Sequence, residues 1–238
     1  MSRLGYYTVF NLQGYGLLLI EGAKLTIVVG AGAMVIAILL GLGAALCKLS
    51  RFKSLDLMAE TYTTVIRGIP ELVLILLVYY GAPTLIQDMV ALLGKEIYVE
   101  IKPMAAGILT IGFIYGAFAT EVFRGAFIAV PKGQIEAAHA CGMGPLLTFR
   151  RILLPQMWRF AIPGLGNVWM VLIKATALVS VIQLPELMRN TDLAARNIHK
   201  PFTCYFAASL LYLAITVLSM VFQQWAEKKA SRGIRREI

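Results

Sequence analysis

An all-α integral membrane protein with five transmembrane helices is the fold class this sequence predicts, on two observations. Of its 238 residues, 59% are hydrophobic and only 15% are charged, more apolar surface than a soluble domain of that length needs or can hide. The apolar residues also gather into five spans, residues 22–46, 69–87, 104–129, 160–183 and 203–224. Each approaches the roughly 20 residues that cross about 30 Å of hydrocarbon as helix. Only one polytopic unit is visible, so residues 1–238 read as a single domain. Residues 1–19 lack a basic stretch followed by an uninterrupted apolar core, so no cleavable signal peptide is expected.

Taken in order, the first span is uniformly apolar. The second has a polar run-in, residues 57–66, whose helix formers place Met58, Tyr62 and Val65 on similar faces. It then meets Arg67-Gly68-Ile69-Pro70-Glu71. Gly68 and Pro70 interrupt a helix, and Pro70 suits the first turn of a new one. A helix starting inside the membrane aims free N–H groups and a positive dipole end at its surroundings, as solute sites do. The alternative is a plain bend, with Glu71 answering the dipole and Arg67 reaching headgroups. In the third span Glu121 and Arg124 are spaced i, i+3 and so are neighbours on one face, either a self-neutralising pair or part of a solute path.

The fourth span carries Lys174. Twelve residues beyond Ile162, at about 1.5 Å each, place it roughly 18 Å deep, too far for comfortable snorkelling. Asn167 lies on the same face, and Thr176 and Ser180 follow. Intramembrane ionisable groups face a cavity or a partner, which makes Lys174 a path residue. The loop 184–202, with Glu186, Arg189, Asp192, Arg196 and Lys200, reads as a solvated face that a partner can touch.

Basic residues set the orientation. With the amino terminus outside, the inner segments hold twelve: Lys48, Arg51 and Lys53, then Lys132, Arg150, Arg151 and Arg159, then Lys228, Lys229, Arg232, Arg235 and Arg236. The outer segments hold six: Arg3, Lys95, Lys102, Arg189, Arg196 and Lys200. The bias predicts an outer amino terminus and a cytoplasmic carboxyl terminus, and it puts the loop 130–159 in the cytoplasm.

Several functions are disfavoured. The net charge of +9 marks a cytoplasmic face in a polytopic chain rather than nucleic-acid binding. Cys47, Cys141 and Cys204 match no metal or redox spacing and read as buried structural thiols. His139 and His199 lack the further ligands a zinc site needs. There is no catalytic constellation, no metal site and no Walker-type phosphate loop, so this chain cannot hydrolyse ATP by itself, and a partner must supply the energy for any uphill movement of solute.

The loop 130–159 contains Glu136-Ala137-Ala138, three residues, Gly142, nine residues, then Ile152-Leu153-Leu154-Pro155. Glu136 to Ala140 favour helix, Gly142 can end it with a left-handed cap, and Pro155 is expected to stop the next segment. This pattern resembles the EAA loop of permease subunits of bacterial ABC importers, the segment that docks onto the ATPase. Further stretches are similar to the polar amino-acid uptake permeases: Tyr62 to Leu72, Glu121 to Ala126, Val130 to Gln134 and Leu172 to Ser180. Within them the chain looks closest to the Q subunits of the histidine/lysine/arginine/ornithine, arginine and opine (octopine, nopaline) systems. The acidic Glu71 after Arg-Gly-x-Pro is one reason.

The resemblance implies a type I ABC importer permease fold in the bacterial inner membrane. It implies pairing with a second homologous permease subunit or a copy of itself, two cytoplasmic ABC ATPases that bind ATP and Mg, and a periplasmic amino-acid-binding protein. It makes Glu136, Ala137, Ala138, Gly142, Ile152, Leu154 and Pro155 the coupling residues. Glu71, Glu121, Lys174, Thr176, Ser180, Asn167 and Arg67 then line a path for basic L-amino acids or opines. No cofactor is expected on this chain. A stand-alone secondary carrier or channel is the alternative. A membrane-embedded enzyme is a third class.

Overall fold

The computed structural model describes residue 12, residues 14–93 and residues 101–230. Arg3, Lys95, Arg232, Arg235 and Arg236, all used in the orientation argument, lie outside the described residues. Every regular element among the described residues is helical: α1 (Gly16–Lys48), α2 (Lys53–Gly68), α3 (Glu71–Leu76), a π turn (Leu77–Gly81), α4 (Ala82–Ala91), α5 (Pro103–Ile128), α6 (Lys132–Ala140), α7 (Pro145–Thr148), a second π turn (Phe149–Leu153), α8 (Leu154–Ala175), a 3-10 segment (Thr176–Ile182), α9 (Leu187–Ile198) and α10 (Pro201–Ala230). Among the described residues, five stretches are long and apolar enough to cross a membrane: Gly16–Lys48, Glu71–Ala91, Pro103–Ile128, Pro145–Ile182 and Pro201–Ala230. The five-span, all-α expectation holds.

The boundaries differ in three informative places. The fourth helical stretch begins at Pro145, not near residue 160, because Arg150, Arg151 and Arg159 interrupt the apolar run without interrupting a helix. Pro155 does not stop that helix. The π turn just before it lengthens the hydrogen bonding, Leu154 N donating to the Phe149 carbonyl five residues back. A widened turn gives the pyrrolidine ring room beside the preceding carbonyls, so the chain stays helical through a residue that lacks an N–H. In α2 the buried residues are Ala59, Thr63 and Ile66, whereas Met58 and Val65 are exposed. The inward side of that helix is therefore the face of Ala59, Thr63 and Ile66.

The chain divides into two compact units. One comprises Met34–Ile69, Phe113–Val171 and Leu218–Ile238. Its core is Ala45 of α1, Ala119, Phe123, Ala126 and Phe127 of α5, Val130, and Met157, Ala161 and Leu165 of α8. Phe123 meets Trp158 edge-on, ring centroids 5.5 Å apart, a favoured aromatic geometry. Small residues set the helix spacing: a Cβ at Gly41 would lie 2.6 Å from that of Ala119, and one at Gly164 equally close to Val122. Such contacts replace the hydrophobic effect as the packing force in lipid.

The other unit comprises Met1–Ala33, Pro70–Gly112 and Leu172–Val217. Here α1 and α9 meet backbone to backbone. A Cβ at Gly22 would lie 2.8 Å from Leu187 Cα, and Asn190 Nδ2 donates to the Leu18 carbonyl at 2.9 Å. Ala194, Ala195 and Cys204 form a small core with Leu12, Tyr15 and Ile198 against it.

Candidate functional site

Three places carry the polar chemistry. The first is α6. Its end is closed by a pair of backbone bonds: Gly142 N donates to the His139 carbonyl at 2.9 Å and Met143 N to the Ala138 carbonyl at 3.0 Å. With Gly142 at φ +79°, this is a Schellman ending, which glycine adopts at least cost. A Cβ there would meet nothing, so the demand for glycine comes from the backbone and not from crowding. Ala138 is buried, while Glu136, Ala137 and Gly142 are exposed. Cys141, expected to be a buried thiol, is exposed as the helix cap. Ile152 and Leu154 are half-buried, and Leu154 packs on the core of its own unit.

The second place is a pocket of about 370 Å3 lined by Lys48, Asp56, Glu60, Thr63, Thr64, Arg67, Glu121 and Arg124. The expected Glu121–Arg124 pair is present, Nε to Oε2 at 2.9 Å. It is one part of a larger chain of charges. Lys48 Nζ reaches Glu121 Oε1 at 2.7 Å and also contacts Glu60, and its side chain is only 5% exposed. Arg67 lays its guanidinium over the Phe118 ring, 5.2 Å from the centroid, within range of a cation–π contact.

Tyr62 fixes α2 beside α5, its hydroxyl donating to the Phe113 carbonyl at 2.6 Å. Burial pushes that phenol up to about 12, so it stays a donor. Gly116 leaves room for it: a Cβ there would sit 2.7 Å from the Tyr62 oxygen.

The third place is the break after α2. Ile69 is extended, Pro70 stands at the N-cap and not inside the first turn, and α3 begins at Glu71. Helix α3 packs beside the 3-10 segment Thr176–Ile182, so the chain around Glu71 and the chain of Thr176 and Ser180 come together. Thr176 is buried and its hydroxyl donates to the Ile173 carbonyl at 2.8 Å. Ser180 is half-buried and Lys174 exposed. The expected path residues therefore fall in two groups, with Glu71, Lys174, Thr176 and Ser180 in one unit and Arg67, Glu121 and Asn167 in the other.

Glu186 corrects the reading of the loop 184–202 as a solvated face. It is fully buried and caps α9, accepting from Met188 N at 2.9 Å and Arg189 N at 2.8 Å. The Thr26 and Tyr212 hydroxyls donate to it at 3.3 Å and 3.2 Å. Burial pushes its carboxyl above the usual range, against the pull of those four bonds. Farther along α9, the Arg196 guanidinium hydrogen-bonded to Asp192 holds that carboxyl below its ordinary value.

Asp56, Glu60, Thr63, Thr64 and Arg67 were not read as a group from the sequence, although their spacing puts them on one face of α2. Nothing local in the sequence marks the burial of Lys48, the last residue of α1.

The comparisons follow this geometry. Residues 37–232 match the family model described as binding-protein-dependent transport system inner membrane component. The chain is 44% identical to the histidine/lysine/arginine/ornithine transport system permease protein HisQ of Salmonella typhimurium, over 94% of this chain and 98% of that one. It is 47% identical to the nopaline transport system permease protein NocQ of Agrobacterium fabrum, over 93% and 94%. A solved structure described as an amino acid ABC transporter with histidines matches with a TM-score of 0.77 and 31% identity, over 90% of this chain and 95% of that one. A polytopic helical chain matched over most of its length in this way belongs to the family of inner-membrane permease components of binding-protein-dependent ABC transport systems.

Proposed function

We propose that this chain is the transmembrane permease subunit of an ATP-driven importer for basic L-amino acids (arginine, lysine, histidine, ornithine) or related opines. It acts as one domain, with its amino terminus periplasmic and its carboxyl terminus cytoplasmic. It pairs with a second homologous permease subunit or a copy of itself. Two cytoplasmic ABC ATPases supply the energy and hold ATP and Mg, and a periplasmic amino-acid-binding protein delivers the solute. The observation that carries the reading is α6, a short helix closed on itself at Gly142 with Glu136 and Ala137 exposed, in a chain whose relatives are named as histidine/lysine/arginine/ornithine and nopaline transport permeases. A helix closed in this way can seat in an ATPase cleft and pass on its movement without unwinding. Glu136, Ala137, Ala138, Gly142, Ile152, Leu154 and Pro155 form or support that piece.

A basic amino acid presents a carboxylate, an ammonium and a distal cation. The group of Glu71, Lys174, Thr176 and Ser180 supplies an anion, a cation and hydroxyls. A charge-assisted contact from Glu71 to the distal cation is worth roughly 1.5–3 kcal/mol, about ten- to a hundred-fold in affinity. Asn167, Glu121 and Arg67 also line the path.

The test is reconstitution with the ATPase and binding protein, measuring ATP hydrolysis and uptake across the amino acids and opines. Basic solutes or opines should stimulate both. Gly142→Val, which forces a β-branched side chain to positive φ at about 1–3 kcal/mol, should hydrolyse ATP without uptake. Normal uptake by that variant, or uptake without any ATPase as a stand-alone carrier would show, overturns the reading. Orientation is checked with thiols at Leu146→Cys and Leu193→Cys, of which only the second should react with an impermeant reagent from the periplasmic side.

A further inference from the structure

Helix α2 turns one polar stripe toward the pocket: Asp56, Glu60, Thr63, Thr64 and Arg67 all line it. Opposite them stand Lys48, Glu121 and Arg124, so the lining has three cations and three anions and no net charge. A pocket of one sign selects the opposite ion, whereas a balanced one favours a ligand with both. The members differ in how they are used. Lys48 is the structural centre, buried between Glu60 and Glu121. Arg124 engages Glu121 through Nε, which leaves its terminal N–H groups for another acceptor.

Among the described residues, neither Asp56 nor Arg67 has an ion-pair partner. They close the two ends of the stripe, eleven residues or about 16 Å of helix apart, a gap that the long Arg67 side chain shortens. Phe118 holds that guanidinium by its face, leaving its edge of donors for a forked contact with a carboxylate. The volume, about 370 Å3, lies within the roughly 300–1,000 Å3 of small-molecule pockets. Purely structural ion pairs need neither the opening nor the two unpaired ends.

We propose that this pocket is a second holding site for the solute, separate from the group around Glu71, and that it takes a small ampholyte with a carboxylate at one end and a cation at the other. Arg67 receives the carboxylate, and Asp56 with Glu60 receives the distal cation. The solute class rests on the importer reading above, and the geometry of the pocket does not.

The experiment places a reporter in the wall. Thr64 is exposed and lines the pocket, so Thr64→Cys, with Cys47, Cys141 and Cys204 changed to alanine, is reacted with a thiol reagent in the assembled complex. L-arginine should slow the reaction several-fold and L-alanine should not. Asp56→Asn should abolish the protection. Where the cysteine-free background fails to assemble, equilibrium binding of L-arginine to the otherwise native complex serves. Two classes of site are then expected, with Asp56→Asn weakening one about tenfold or more and Glu71→Gln the other. No protection by L-arginine, or a binding curve unchanged by Asp56→Asn, overturns the proposal. Arginine uptake that persists without protection defeats this pocket alone. Protection that persists when no basic solute is transported defeats the importer reading alone and upholds the pocket.

Discussion

Glu186 and Glu121 are both carboxylates held between apolar helices, yet they are satisfied in opposite ways. Glu186 is sealed from solvent, and two backbone N–H groups and two hydroxyls surround it. Even its neighbour is committed, because Thr26 Oγ1 also accepts from Leu187 N at 3.2 Å. Glu121 is a quarter exposed and is held only by charges, Lys48 and Arg124, beside an open pocket with unpaired ends. The first arrangement has no capacity left and joins α1, α9 and α10. The second retains capacity, so a ligand can enter it without leaving a buried group stranded. Satisfaction, more than polarity, separates a staple from a site.

The largest expected effect tests the closed node. Glu186→Ala leaves the Met188 and Arg189 N–H groups of α9 without their acceptor and takes one acceptor from the Thr26 and Tyr212 hydroxyls, at about 1–3 kcal/mol for each buried group left stranded. Thermal unfolding of the purified complex should fall by several degrees at least. A variant of normal stability would make the node as open as the other.

Next comes the open cluster. Glu121→Gln keeps the shape, and Lys48 retains Glu60. The partly exposed setting and the partner that Lys48 keeps hold the loss to about 1 kcal/mol or less. Stability should hardly change while the concentration dependence of basic-solute transport moves. A large loss of stability with unchanged transport would make Glu121 a staple as well.

The smallest effect is in pH dependence. The Glu186 carboxyl is raised by burial, so its contribution to stability is complete below its unfolded value and is lost as pH rises through the folded one. As pH rises above about 4, the wild type should lose stability relative to Glu186→Gln. Asp192, lowered chiefly by its bond to Arg196, works the other way, its contribution being lost as pH falls. That pair is exposed and screened, so Asp192→Asn should flatten the profile only slightly. A wild type whose stability rises more steeply than that of Glu186→Gln over this range would reverse the assignment.

What the sequence discloses of this molecule follows the range of the interactions. The five spans, the break at Pro70 and the glycine turn at Gly142 are local events, set by composition or by one residue's backbone, and they are readable. The burial of Glu186 depends on Thr26, 160 positions away, and Lys48 meets Glu121 across 73. No window spans such distances. The Glu121–Arg124 pair was readable because it lies within one turn. The stripe on α2 is local too, five polar residues at helical spacing from Asp56 to Arg67.

The π turn at Phe149–Leu153 has a consequence for phase. An α-helix advances about 100° per residue, so an extra residue in one turn rotates everything after it by about that angle relative to what precedes it. Met157, Ala161 and Leu165, four residues apart, all point into the core because α8 enters with that rotation already made. Removing one residue from the turn would return α7 and α8 to a common α register and swing this stripe about a quarter turn away from Phe123. The arginines at 150 and 151 would keep their place while the core lost its alignment. One surplus residue thus sets two consecutive stretches of the same helix at different azimuths, letting each present the side its own surroundings require.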